Sequence, residues 1–333
     1  MDNQTRNNLE ILNDLGDYGD AEFTVRKEPL YTGGKLTVDS RRYESTLYDS
    51  KQINSHVALI RDDTDQVLSI VGSKYRPVTP QEAFDTAEDV IMRSDLNLTD
   101  ISRHTAVSHN GARAYSTWTL PEHRVTLRKD DDVALQISAR NSYDGSWSFV
   151  VEVGGYRFIC LNMQVFANNF AIHKSKHTQG LNLDRIASRL SDAIIFYDQE
   201  TELWREMVDT KIDNYNAFDV LSHLANSKVA SSMLKNMVDD PDYRRLNSPL
   251  DILYEPEVVR NKTLNTLYHQ WLLERKGLGT TAWALYNTMT NWATHAVPIK
   301  RTSINNVASI RVDRLEKVRK TLNNKMLPML KVA

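Results

Sequence analysis

Cysteine occurs once in the 333 residues, as Cys160. That excludes an internal disulfide and fits a reducing compartment. No run of about 18 apolar residues occurs, so no segment reads as a membrane span. Met1 to Asp20 lacks the apolar centre of a signal peptide, and the chain is expected in the cytosol. A Walker phosphate loop and a dinucleotide-binding glycine fingerprint are also missing. With one cysteine, a zinc quartet would need ligands gathered from distant segments. Nothing therefore calls for a cofactor or a metal. Net charge is small, −2 from 41 basic and 43 acidic residues, which is not the footprint of a protein that coats duplex DNA by charge alone. A chain of this length buries roughly three quarters of its unfolded surface and needs no staple to fold.

The charge that is present is polarised. From Lys300 onward nine basic residues face only Asp313 and Glu316, a net of +7 against −9 for the rest. Residues 1–20 carry Glu10 and four aspartates against Arg6 alone. Such a head and tail can attract each other, the tail can seek an anionic partner, or both can be solvated surface.

Residues 1–20 are polar with little periodicity and read as a flexible acidic N-terminus. His56–Ile60 and Val67–Val71 are short β-prone runs around a polar hexapeptide, a hairpin. Thr79-Pro80-Gln81-Glu82 combines a capping threonine, a first-turn proline and the glutamate of a capping box, with Ala83, Phe84, Ala87, Val90 and Ile91 as the apolar face of the helix that follows. Asn110-Gly111 and Asp144-Gly145 mark two further hairpins. Gly154-Gly155 reads as a break before a strand over Tyr156–Leu161. After Gly180 apolar residues recur at three- and four-residue steps through Val208. Shorter helices follow around Phe218–Leu224 and Leu264–Leu272, then from Thr281, then from Ser303 to Met326; Asp239–Glu257, with three prolines, reads as loop. The expected fold is α+β: a mostly antiparallel sheet with one packed helix over 21–180, then an all-helical domain over 181–333 ending in a basic helix.

Three ordered segments carry a family resemblance. They are Tyr75-Arg76-Pro77-Val78 before a helix; Asn141-Ser142-Tyr143-Asp144-Gly145-Ser146 with Cys160-Leu161-Asn162 and His177-Thr178; and Thr281-Ala282-Trp283 with Asn287 and His295. Together they resemble the phage- and plasmid-like proteins grouped as domain of unknown function 932, over roughly His56 to His295. The chain departs from that pattern at Tyr143, where His is expected, and at Met163, where Thr is. The resemblance implies a phage- or plasmid-borne gene expressed in the bacterial host cytosol, and it implies no reaction. Phage single-strand annealing proteins share a sheet-plus-helix build, a likeness of fold alone.

The leading functional expectation is an accessory of DNA metabolism that binds, and at its fullest anneals, single-stranded nucleic acid. Lys74, Arg76, Arg140, Lys174, Lys176 and His177 would meet phosphates, Asn141 a phosphate or base edge, and Tyr75 or Tyr143 would stack on bases. Taken by themselves, Asn141 to Ser146 read rather as turn residues bonded to local backbone. An alternative is an enzyme acting on a nucleotide or small molecule, with Cys160 as nucleophile, His177 as base and Asn141 or Asp144 nearby. Against it, a cysteine inside Tyr156–Leu161 is more often buried and inert. A third class is a structural or host-interacting protein without catalysis. Trp283, Asn287, Asn291 and His295 form one helical stripe, read as packing rather than ligand contact. Ile304, Ala308, Leu315, Val318 and Leu322 form a seam that serves either self-association or packing on the chain's own helices.

Overall fold

The computed structural model describes residues 3–33, 35–39, 44–48, 50–94, 96–158, 162–164, 171–175, 183–240, 248–297 and 306–331; of these, 3–6, 35–39, 44–48, 171–175 and 183–195 enter through their backbone alone. Strands β1 (Val25–Tyr31), β4 (Gln52–Arg61) and β5 (Val67–Gly72) form a small antiparallel sheet in the order β1-β4-β5, while β2 (Lys35–Asp39) and β3 (Glu44–Tyr48) pair as a separate hairpin. The expected hairpin is β4–β5, with Val57 opposite Val71. The larger sheet runs β6 (Ser102–Ser108), β7 (Arg113–Arg128), β8 (Asp131–Ser142), β9 (Phe149–Arg157) and β10 (Asn162–Gln164) in reverse spatial order, and β11 (Ala171–Ser175) also pairs with β9. Among the described residues every strand pairing is antiparallel.

Helix α2 (Pro80–Met92) packs on the large sheet by the face read from its sequence: Ala83, Phe84, Ala87, Val90 and Ile91 are buried. Its capping box is complete, with Glu82 N–H on Thr79 Oγ1 at 3.0 Å and Thr79 N–H on Glu82 Oε2 at 2.8 Å, worth about 1 kcal/mol. At the turn after β6, His109, Asn110 and Gly111 all have positive φ. Phe23 and Arg61 lie within 3.0 Å of where a Gly111 side chain would begin, so only glycine fits there.

Three expectations need correction. The N-terminal segment is not a frayed tail. Residues Asn3–Asn13 form helix α1, and Leu12 and Tyr18 are buried. Arg103 Nη2 donates to the carbonyls of Leu15, Gly16 and Asp17, its guanidinium lies 4.2 Å from the Tyr18 ring centre, and Glu88 pairs with it at 2.8 Å. Backbone carbonyls, which composition does not reveal, hold this polar segment. Gly154-Gly155 is no break either: both lie within β9. A side chain at Gly155 would begin 2.7 Å from Trp204, and one at Gly154 would begin 2.7 Å from the Gln164 carbonyl. Glycine in a strand here marks close approach. Finally, the stretch read as loop contains helix α6 (Pro249–Tyr254), and α5 (Lys228–Asp239) precedes it.

The remaining helices are α3 (Leu183–Asp209), α4 (Asn214–Leu224), α7 (Lys262–Leu278), α8 (Ala282–His295) and α9 (Val307–Thr321); α9 continues through a wide turn, Leu322–Met326, into α10 (Leu327–Leu330). Gly279, at φ +74°, ends α7, and Thr281 Oγ1 caps α8. Helix α8 is buried on nearly all sides, its polar Asn287, Thr288 and Thr290 included. One buried apolar cluster runs from Leu12 and α2 through the sheet to α8 and Leu330. The sheet and the helices thus share one core among the described residues.

The sheet is tied to α8 by a buried polar knot. Arg157 grips Asp131 with two bonds of 2.5 and 2.7 Å, Trp283 Nε1 donates to Asp131 at 3.0 Å, and Arg157 Nη1 donates to Asn287 at 3.2 Å. The Trp283–Asn287 stripe is thus packing, against the sheet through Asp131 and Arg157 and against α3 through Trp204, whose ring centre lies 6.2 Å from that of Trp283.

Candidate functional site

The loop from Asn141 to Trp147 closes on itself. Ser142 Oγ donates to the Trp147 carbonyl and accepts from its N–H, both at 2.9 Å. Asn141 Nδ2 donates to the Val78 carbonyl at 2.7 Å, a long-range tie rather than a local one. Asp144 receives Arg113 Nε at 2.7 Å and the Ser146 N–H at 2.9 Å. Burial works against its ionised form, but these donors prevail and hold the carboxyl below its ordinary range. Only Gly145 in this loop has positive φ, so the turn is not type I′, which needs two such residues.

Tyr143 and Asn141 are each 1% exposed, so neither can offer itself to a nucleic acid. Tyr143 packs 6.0 Å from the Phe23 ring in a small second core with Leu59 and Leu68. Burial raises its hydroxyl's pKa. Tyr75 is half-buried against the same cluster, and burial, with Asp144 nearby, pushes it up to about 12. The loop fastens the small sheet to the large one.

Arg140 is also used internally. Its Nη1 pairs with Glu152 at 2.9 Å, the other oxygen of Glu152 receives Arg319 from α9 at 3.2 Å, and Arg319 pairs with Glu316 at 2.6 Å. These groups line a cavity of about 40 Å³ between the sheet and α9, room for one or two waters. Helix α9 covers this face of the sheet, and Ala308, Leu315, Val318 and Leu322 of its seam are buried within the chain. Arg314 donates to the carbonyls of Trp292 and Ala296 at the end of α8. Asn306 accepts the His109 N–H at 3.0 Å, and Ser309 bonds Ser108.

Lys74 and Arg76 are exposed at the small sheet. Lys174 is described through its backbone, opposite Val150 on β9; Cys160, Lys176 and His177 lie outside the described residues. The sheet surface expected to gather Lys74, Arg76 and Arg140 for phosphates thus loses Arg140 to the interior. Among the described residues, no group of three His, Cys, Asp or Glu could hold a metal ion.

Cationic side chains do converge elsewhere. A groove of about 650 Å³ lies between the α4–α5 corner and the terminal helix, lined by Lys228, Lys317, Lys320 and Lys325 with Trp292 and Thr263 among its walls. No carboxylate is among its lining residues. Lys317 and Lys320 project from α9, and Lys228, Lys317 and Lys320 are exposed. Lys325 is steadied by Asp219 at 3.1 Å. The sequence signal for half of this groove is the excess of basic residues after Lys300; Lys228 had none.

A family model described as domain of unknown function (DUF932) matches residues 67–319. No curated protein and no solved structure matches.

Proposed function

This chain belongs to the DUF932 family, and from that premise we propose that it is a phage- or plasmid-encoded accessory of DNA metabolism that binds single-stranded nucleic acid in the lysine-lined groove. The observation that carries this reading is Lys228, at the start of α5, meeting Lys317, Lys320 and Lys325 of the terminal helical segment on one concave surface without a lining carboxylate. Clustered positive charge in a concave site raises the local concentration of a polyanion. No covalent step is asked of any residue. The enzyme alternative draws no support from Asn141 and Asp144, which are engaged within the fold. No helix among the described residues is long and apolar enough to cross a membrane.

The test is purification of the full chain from host extract with and without nuclease, followed by titration of a labelled oligonucleotide at low salt. Co-purified nucleic acid, and binding that weakens as salt rises, support the reading. Failure to bind at low salt rejects it.

A further inference from the structure

The groove has a structured end. Helix α4 closes with Asn226 in the left-handed conformation, its N–H on the His223 carbonyl and the Ser227 N–H on the Ser222 carbonyl, a common helix stop. Helix α5 then begins at Lys228, and its N-cap, Ser227, makes no side-chain capping bond. The first-turn N–H groups of a helix have no partner within it and sit at the positive end of its dipole. Beside them, Ser222 is fully buried and lines the groove, yet its Oγ has no hydrogen-bond partner. A buried hydroxyl left unmade carries a desolvation penalty that a ligand oxygen would relieve. Serines in mid-helix usually bond back to the preceding turn; this one does not.

We propose that this end of the groove is a discrete subsite for one phosphate monoester, held by the Lys228 N–H at the start of α5, Ser222 Oγ, Ser227 and the Lys228 ammonium. The proposal rests on the nucleic-acid reading for its context and specifies the chemistry of that site. Helix N-terminal amides favour a compact anion, and a monoester presents three non-bridging oxygens with nearly two charges, one more oxygen than an internal diester offers. Two sources supply such a group, the phosphorylated end of a strand and a free mononucleotide. Lys317 and Lys320 across the groove would meet the next phosphates of a strand and find none in a mononucleotide.

The test uses the full chain. Inorganic phosphate is titrated against sodium chloride of equal ionic strength, reading the melting temperature and the binding of radiolabelled phosphate. In parallel, adenosine monophosphate is compared with adenosine, and oligonucleotides ending in phosphate with the same oligonucleotides ending in hydroxyl. Phosphate should raise the melting temperature and bind saturably. Ser222→Ala, which deletes an unpartnered hydroxyl and should fold as well as the parent, should weaken phosphate binding about tenfold; Lys228→Gln should do the same. Preference for phosphate-ended strands over adenosine monophosphate assigns the subsite to strand ends, and the reverse assigns it to mononucleotides. If phosphate binding is absent, or Ser222→Ala leaves it unchanged, the subsite is refuted. Salt-sensitive binding of hydroxyl-ended strands would still uphold the groove in that case, and its loss alone would remove the broader reading while leaving a phosphate site.

Discussion

Replacing Lys317 and Lys320 together by glutamine removes two of the four ammonium groups that line the groove. Both side chains are exposed, and glutamine matches lysine in helix propensity, so the melting temperature should move little. The effect on binding follows from counterion release. Each phosphate neutralised on a single strand contributes about 0.7 to the slope of log affinity against log salt. Four contacts give a slope of about −2.8, and the variant about −1.4. Between about 50 and about 200 mM salt the parent should lose about 50-fold in affinity and the variant about 7-fold. Fluorescence anisotropy of a labelled oligonucleotide across that range measures both slopes. Parallel lines would mean that the two lysines touch no phosphate, and the groove would not be the binding surface. A matched control, Lys74→Gln with Arg76→Gln, should leave the slope unchanged.

Three other outcomes are expected. Asp131→Asn leaves the buried Arg157 without its counter-charge and should cost about 3–5 kcal/mol in urea unfolding; a loss below about 1 kcal/mol would mean that the knot between sheet and α8 contributes little. Gly155→Ala pushes a methyl group against Trp204 and Val133 and should destabilise by about 1–3 kcal/mol; an unchanged midpoint would show that α3 yields easily there. His109 and His123 are both lowered from the ordinary value of 6.5, first by burial, with Arg113 adding to the effect at His109. The unfolded chain therefore binds more protons below about pH 6.5, and stability should be complete above that pH and decline as pH falls through the depressed folded values. A melting temperature flat from pH 7 to 5, or midpoints at or above 6.5 in a proton NMR titration of these rings, would contradict this.

Much of the fold was legible because it rests on local chemistry. Thr79, Pro80 and Glu82 specify a helix start within four residues, Asn110-Gly111 marks a turn through its backbone angles, and the step of four from Trp283 to Asn287 describes one helix face wherever that helix docks. What could not be read depends on a partner far along the chain. Gly154 and Gly155 look like a break until Trp204 is set against them. Arg140 looks like a phosphate ligand until Glu152, diagonal to it on the next strand, and Arg319 from the terminal helix close over it. The polar N-terminal segment gives no sign that Arg103 will collect three of its carbonyls. The basic tail was visible as a count, but the count does not separate Arg314 and Arg319, which bond inward, from Lys317 and Lys320, which face out.

The groove has two walls of very different chain position: one is the α4–α5 corner, the other the segment 307–331 folded back across it. A ribosome that has released the first wall has therefore made only half a receptor. The anion-binding surface comes into being when the last helix settles, and whatever occupies the groove must in return favour that settling by mass action. Ligand and helix are thus linked partners in one equilibrium.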